Sequence, residues 1–326
     1  MNISKYSQDG IQFVEVTNNL NLKVIFANLG ASIFKINYDN YALTRNVKNP
    51  KDFFNPKVYY GKTIGRVASR IRGNSFKLGN QRYVIETNEN GNILHGGPHG
   101  VSFLLFNEDV KSDEEKVVVT YSRIIRESED GFPGDLNLRV RYTLYLDKNE
   151  IDISYAAKAN KDTTLSLTNH TYFTLGCRSI KGLTLSINSD YYLKLDDDLF
   201  PIEKELVTPA FDFRQPKRII KDIESPELHG PYLNGYDVFY YINNKDINNK
   251  MLTLSNAKFK MDVYSDFEGV QIYTSGFDAG VELYPKTEGV CDSIAIEPSD
   301  SYIRLLGLRK DQLYSRNIKY IFGLKE

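Results

Sequence analysis

Four short segments bring ionisable side chains together with glycines or aromatic residues. In residues 65–73 (GRVASRIRG), three arginines, Arg66, Arg70 and Arg72, are closely spaced between glycines. Turned inward, one guanidinium would grip a polar ligand through its planar fork of donors; turned outward, the set is a solvated basic loop. No Gly-x-x-x-x-Gly-Lys-Ser/Thr pattern supports a phosphate loop. In residues 92–100 (NILHGGPHG), His95 and His99 have the spacing of helical metal ligands. The intervening Gly-Gly-Pro argues against the helix that would align them. Glycine lets a backbone approach a ligand, so His95 reads as lining a pocket floor, or else as satisfying its own tight loop. His99 and His229 read as surface residues.

Residues 165–173 (LSLTNHTYF) alternate so that His170 shares a strand face with Thr168 and Tyr172. An imidazole between polar and aromatic neighbours suits proton transfer near neutral pH; the alternative is a hydrogen-bonded core histidine. In residues 294–300 (IAIEPSD), Glu297 ends an apolar run. A buried carboxylate is costly unless paired or protonated, and burial raises its pKa toward the range of a general base. A buried salt bridge is the competing account. Asp237, in residues 234–239 (NGYDVF), is a further candidate of the same kind.

Strands must position these groups. Residues 20–38 are rich in Ile, Val and Phe and break at Gly30, residues 116–124 hold a β-branched run, and residues 136–146 (LNLRVRYTLYL) alternate with period two. Residues 147–150 (DKNE) read as a hairpin turn into the next strand, and similar short runs follow to the C-terminal end, separated by Gly, Asn, Asp and Pro. Short helical turns are expected near 41–47, 50–54 and 219–224. The length alone suggests about two domains. Composition shows no break and no linker, so the expectation is one all-β domain over 1–326, a large antiparallel β-sandwich or barrel.

Composition narrows the function classes. Lys and Arg total 41 against 42 Asp and Glu, a net charge of −1, which argues against a nucleic-acid partner. No apolar run approaches a membrane span, and the N-terminal residues lack the pattern of a secretory signal, so a cytoplasmic location is expected. Cys177 and Cys291 read as reduced thiols. No heptad or long apolar edge demands a partner, so a monomer is the default. Aromatic content is high, with 23 Tyr and 18 Phe but no Trp.

Taken in order, the blocks GKTIGRVASRI, LHGG, TNHTYFTLG, LVTPAFDFR, NGYDVF, QIYTSGF and IEPSD resemble the signature blocks of the aldose 1-epimerase (galactose mutarotase) family, from about Gly61 to Asp300. The most specific element is Asn-His-Thr-Tyr-Phe followed far downstream by Glu-Pro. The resemblance implies a galactose mutarotase-like β-sandwich with a sugar in an open cleft, and neither metal nor organic cofactor. It implies that His170 is the general acid, Glu297 the general base, and that His95 lies beside the ring oxygen. It also implies that Arg70 and Asp237 hold sugar hydroxyls. The chain departs from the family pattern at Ser69, at Ser275-Gly276-Phe277, and where Phe103 and Phe106 stand in place of a Trp, which bears on the shape of the cleft and on sugar preference.

The implied reaction interconverts the α and β anomers of a free aldohexose such as galactose or glucose. Ring opening removes a proton from the C1 hydroxyl and delivers one to the ring oxygen; the aldehyde rotates and recloses. The expectation is an oppositely ionised His170–Glu297 pair near neutral pH. Tyr172, Tyr273, Tyr236 and Phe239 are the rings that could stack on the sugar's C–H face. Three rivals stand beside this reading. A glycoside hydrolase would use two carboxylates such as Glu297 and Asp237. A sugar-phosphate epimerase would use Arg66, Arg70 or Arg72. A non-catalytic sugar-binding protein would need neither Glu297 nor His170.

Overall fold

The computed structural model describes residues 1–231, 233–274, 279–286 and 292–325. Period-two patterning builds its largest sheet. In the strand Leu136–Tyr145, Leu136, Leu138, Val140, Tyr142 and Leu144 are buried while Asn137, Arg139 and Arg141 face solvent. The strand pairs with Lys116–Ile125 on one side and, through the expected hairpin, with Glu150–Ala159 on the other. The sheet has nine strands, and the strand closest to the C-terminal end, Tyr314–Leu324, lies inside it between Glu150–Ala159 and Phe259–Ser265.

A second sheet of eight strands runs in the order Pro201–Leu206, Tyr191–Leu195, Asp237–Tyr241, Gly269–Tyr273, Ile294–Ser299, Tyr172–Phe173, Thr44–Val47, Leu283–Tyr284. Five strands between Asn2 and Ala42 form a third. The strand pairs in these three sheets are antiparallel among the described residues. One apolar cluster, running from Val14 to Phe322, draws side chains from all three, which makes the architecture the all-β sandwich expected.

Two local readings change. Residues 41–47 are not a helical turn. Tyr41–Ala42 extends the N-terminal sheet, and Thr44–Val47 pairs with Tyr172–Phe173, because partner strands lie on hand and Thr44 and Val47 are β-branched. The other two turns are present as 3-10 helices, Pro50–Phe54 and Ile219–Asp222. The run through His170 is not one strand. It breaks into Thr163–Thr164, Thr168–Asn169 and Tyr172–Phe173, because the chain leaves Thr63–Ile64 to join Ile294–Ser299. Cys177 is a free thiol; Cys291 and Ser275, Gly276 and Phe277 lie outside the described residues. Among the described residues no helix is long and apolar enough to cross a membrane.

Candidate active site

Strand alternation fixes one face of a cluster of polar side chains. Along three adjacent strands, Val238 and Tyr240, Val270 and Ile272, and Ile294 and Ile296 enter the core. Asp237, Gln271, Tyr273 and Glu297 therefore take the opposite face. Register aligns them in two rows: Gln271 stands opposite both Phe239 and Glu297, and Tyr273 opposite both Asp237 and Ala295. Directly opposed side chains lie about 5 Å apart at Cβ, and diagonal neighbours such as Gln271 and Asp237 somewhat farther, still within reach of a long side chain. Gln271 Nε2 donates to Asp237 Oδ1 at 2.5 Å, and Tyr302 Oη donates to Gln271 Oε1 at 3.2 Å.

His170 sits in the gap between two short strands, held by its backbone. Its N–H donates to Lys62 O at 2.9 Å, and its carbonyl accepts from Gly61 N–H at 2.8 Å. Gly61 has φ of 69°, and a Cβ there would fall 1.8 Å from Ile33 O, so only glycine allows this approach. The geometry brings His170 Nε2 to 3.3 Å from Glu297 Oε1, with only 6% and 5% of the two side chains exposed. Burial pushes the His170 imidazole down to about 3. Burial, aided by the neighbouring Asp237 and opposed by Arg70, pushes Glu297 well above the usual carboxylate range. Both groups therefore lean toward their neutral forms, where the sequence suggested opposite charges. The proton count is the same, one proton for the pair, but it rests on the carboxyl.

His95 projects from a loop with φ of 53°. Its Nδ1 accepts from Ser69 N–H at 3.2 Å, which leaves its proton on Nε2 when the ring is neutral. Burial first, then His170 and Arg70, holds it well below the ordinary histidine range, so it is a neutral donor. Its ring stands perpendicular to that of His170, with centroids 5.3 Å apart.

Arg70 faces Asp237 across 3.8 Å and bonds Glu89 through Nε and Nη2 at 2.6 and 3.0 Å. Burial opposes its charge, but Asp237 and Glu89 outweigh that and raise its pKa. Asp237 is raised by burial, against the pull of Arg70 and Gln271.

The other arginines of that segment are spoken for. Arg66 is fully buried and forked onto Asp130 at 2.7 and 3.1 Å. Arg72 bonds Asp196 at 2.6 Å and lies over the ring of Phe200. Tyr172 stacks on the His170 ring at 5.0 Å and packs against Tyr60 and, edge-on, Tyr273. Tyr236 belongs to the core, its hydroxyl on Ala210 O. Phe239 is buried beneath Tyr302 and Tyr241. His99 and His229 are exposed, as expected. His99 bonds Glu86, and no cluster of His, Cys, Asp or Glu among the described residues could hold a metal ion.

Sequence reasoning passed over Glu89, Gln271, Tyr302 and Tyr59. Only Gln271 carried a signal, since it shares a strand face with Tyr273 in a period-two run.

Residues 12–320 match the family model for aldose 1-epimerase. The chain is 33% identical to galactose mutarotase of Homo sapiens over 254 residues, covering 73% of this chain and 70% of that one. It is 31% identical over 244 residues to aldose 1-epimerase of Haemophilus influenzae, covering 71% and 70%. The crystal structure of galactose 1-epimerase from Lactobacillus acidophilus superposes with a TM-score of 0.88 at 26% identity, covering 100% of this chain and 99% of that one.

Proposed function

The chain belongs to the aldose 1-epimerase family, and from that premise we propose that its cleft interconverts the α and β anomers of free aldohexoses such as galactose and glucose. The observation that carries the reading is the 3.3 Å approach of His170 Nε2 to Glu297 Oε1, with a neutral His95 beside them. Ring opening needs one group that removes the O1 proton and another that protonates the ring oxygen. Passing along the His170–Glu297 contact, the pair's single proton makes Glu297 the base and His170 the acid. The entering sugar then separates the two, with O1 against the carboxylate and the ring oxygen against the imidazolium. His95 adds a hydrogen bond from Nε2 to the ring oxygen as the bond to C1 breaks. After rotation about C1–C2, the same two groups exchange roles and close the ring. The bond between C1 and the ring oxygen breaks and re-forms with proton transfer alone and no net oxidation or group transfer, and these side chains supply both proton transfers.

Arg70 and Asp237 hold hydroxyls, and Tyr172 and Tyr273 line the cleft floor. Each of Arg66, Arg70 and Arg72 already meets a carboxylate, which favours an uncharged sugar over a phosphorylated one. Asp237 is tied to Gln271 and faces Arg70, which favours a binding role over that of a second hydrolytic carboxylate. We read the whole chain as one domain that works in the cytoplasm. The test is polarimetry starting from pure α-galactose, with glucose and glucose 6-phosphate alongside. Faster loss of rotation than in buffer is expected for the two free sugars; no acceleration at micromolar enzyme sinks the proposal.

A further inference from the structure

We propose that Tyr59 is a positioning residue that fixes the mutual orientation of His95 and His170, so that both imidazoles address one oxygen atom. This deepens the reading above and rests on it. Tyr59 is the ring that touches both histidines: it stacks on His170 at 6.1 Å and 28°, and meets His95 edge-on at 4.9 Å.

Tyr59 is tied through its backbone to the turn that holds His170 and through its hydroxyl to the loop that carries His95. Lys62 N–H donates to Tyr59 O at 3.0 Å, closing a turn whose residues Gly61 and Lys62 carry the two backbone bonds to His170. On the other side, Asn88 Nδ2 donates to Tyr59 Oη at 3.3 Å and to Leu94 O at 3.0 Å, while Asn88 Oδ1 accepts from Leu94 N–H at 2.7 Å. Leu94 immediately precedes His95. Phe103 backs the Tyr59 ring at 5.5 Å. The charged and titratable groups around His170 are Glu297, His95, Tyr59, Tyr172 and, across the ladder, the buried Lys62. Of these, Tyr59 has contacts that reach both the His170 turn and the His95 loop.

The two histidines lie on separate segments: Ser69 N–H orients the His95 ring, Glu297 and Tyr172 flank the His170 ring, and the Tyr59 ring packs against both. Two donors must converge on the ring oxygen for both to act, and a shift of about 1 Å in such a geometry costs on the order of 100-fold in rate. The Tyr59 ring, packed against both, couples the two orientations to each other.

Three variants and two readouts test this. Tyr59→Leu should lower kcat by on the order of 10- to 100-fold while KM stays within about threefold. Tyr59→Phe keeps the ring and should return kcat to within about threefold of wild type. Asn88→Ala leaves the core intact but removes both Leu94 bonds that hold the His95 loop against Tyr59, a larger loss than the single hydroxyl bond given up in Tyr59→Phe, so kcat should fall by about three- to tenfold with KM steady. A wild-type kcat in Tyr59→Leu overturns the proposal, as does a rise in KM alone, which would make the ring a sugar contact. A Phe variant as slow as the Leu variant also overturns it, because the hydroxyl would then be the active part. If Tyr59→Leu does not fold, Asn88→Ala decides: full wild-type kcat there sinks the claim. The second readout needs no turnover. The ring C–H resonances of His95 and His170 should move in Tyr59→Leu and hold in Tyr59→Phe. Unmoved resonances refute the positioning role even if the wild type is an active mutarotase, whereas an inactive wild type refutes the reaction and leaves this readout standing.

Discussion

His170 and Glu297 meet at 3.3 Å although they come from distant parts of the chain, and each is buried almost completely. Burial drives the imidazole and the carboxyl in opposite directions on the pH scale, and the contact between them lets one proton serve either residue. One proton shared by a donor and an acceptor in contact, shielded from water, is what reversible ring opening requires.

The pH dependence of kcat/KM should be a broad plateau. Its acid limb marks the pair taking a second proton, and with His170 pushed down to about 3 that limb lies well below the ~6.5 of a free imidazole. Its alkaline limb marks loss of the last proton, from a Glu297 raised above the carboxylate range. The two limbs belong to the pair as a unit. Polarimetric rates between pH 3.5 and 9 check this; an acid limb near 6.5 would show His170 titrating as an open surface group.

Glu297→Gln should cost about a thousandfold in kcat, within the ~100- to 10,000-fold span of one acid–base group, with binding largely retained. More than about a tenth of the wild-type rate would remove Glu297 from the role of base. The same variant should be more stable. A carboxyl whose folded pKa is raised contributes stability that is fully present below about 4.3 and is lost as pH rises through the folded value. Removing the charge therefore stabilises the fold at alkaline pH, by about 1–2 kcal/mol, and changes little near pH 4. Denaturant melts at pH 8 and 9 isolate the effect, because an unfolded histidine with its ordinary value of ~6.5 is then essentially neutral, as His170 is in the fold.

Arg66→Ala leaves Asp130 buried without its partner. It should lower unfolding free energy by about 3–5 kcal/mol and leave kcat per folded molecule near wild type, since Arg66 is directed at Asp130 and carbonyls of the 133–134 turn rather than the cleft. Urea titration paired with activity on the folded fraction distinguishes the two effects. A large fall in kcat at full stability would place Arg66 in the reaction.

Glu89→Ala frees Arg70 from its two bonds and leaves Asp237 as its only carboxylate neighbour among the described contacts. KM for galactose should rise by about three- to tenfold with kcat within a factor of about two, because an untethered guanidinium loses orientation but not charge. An unchanged KM would mean that Arg70 does not hold the sugar.

Much of this site was legible in the sequence because it follows from local pattern. Glu297 was found as a carboxylate in an apolar run, and it is the one charged residue of a strand buried along its whole length. His170 was found by its neighbours, although the strand assigned to it is broken; the stacking of Tyr172 survives because the two residues still share a face. Gln271 and Tyr302 were not legible, because their meaning depends on which strand lies beside which, and pairing between distant segments leaves no local trace. Tyr59 and Glu89 sit in loops whose course is set by other parts of the molecule. The ionisation of the acid–base pair was misjudged for a related reason: it is set by the depth of burial, which a sequence does not record.

The Tyr314–Leu324 strand fills a gap in the middle of the nine-stranded sheet, flanked on both sides by segments made earlier. That placement has a consequence for synthesis. A nascent chain cannot close this sheet, nor seal the interior behind the cleft, before residue 324 has left the ribosome. The earlier strands must wait with unpaired edges, which makes them dependent on protection from association until then. Deleting residues 314–324 should therefore cripple the whole molecule, because it splits the nine-stranded sheet through its middle.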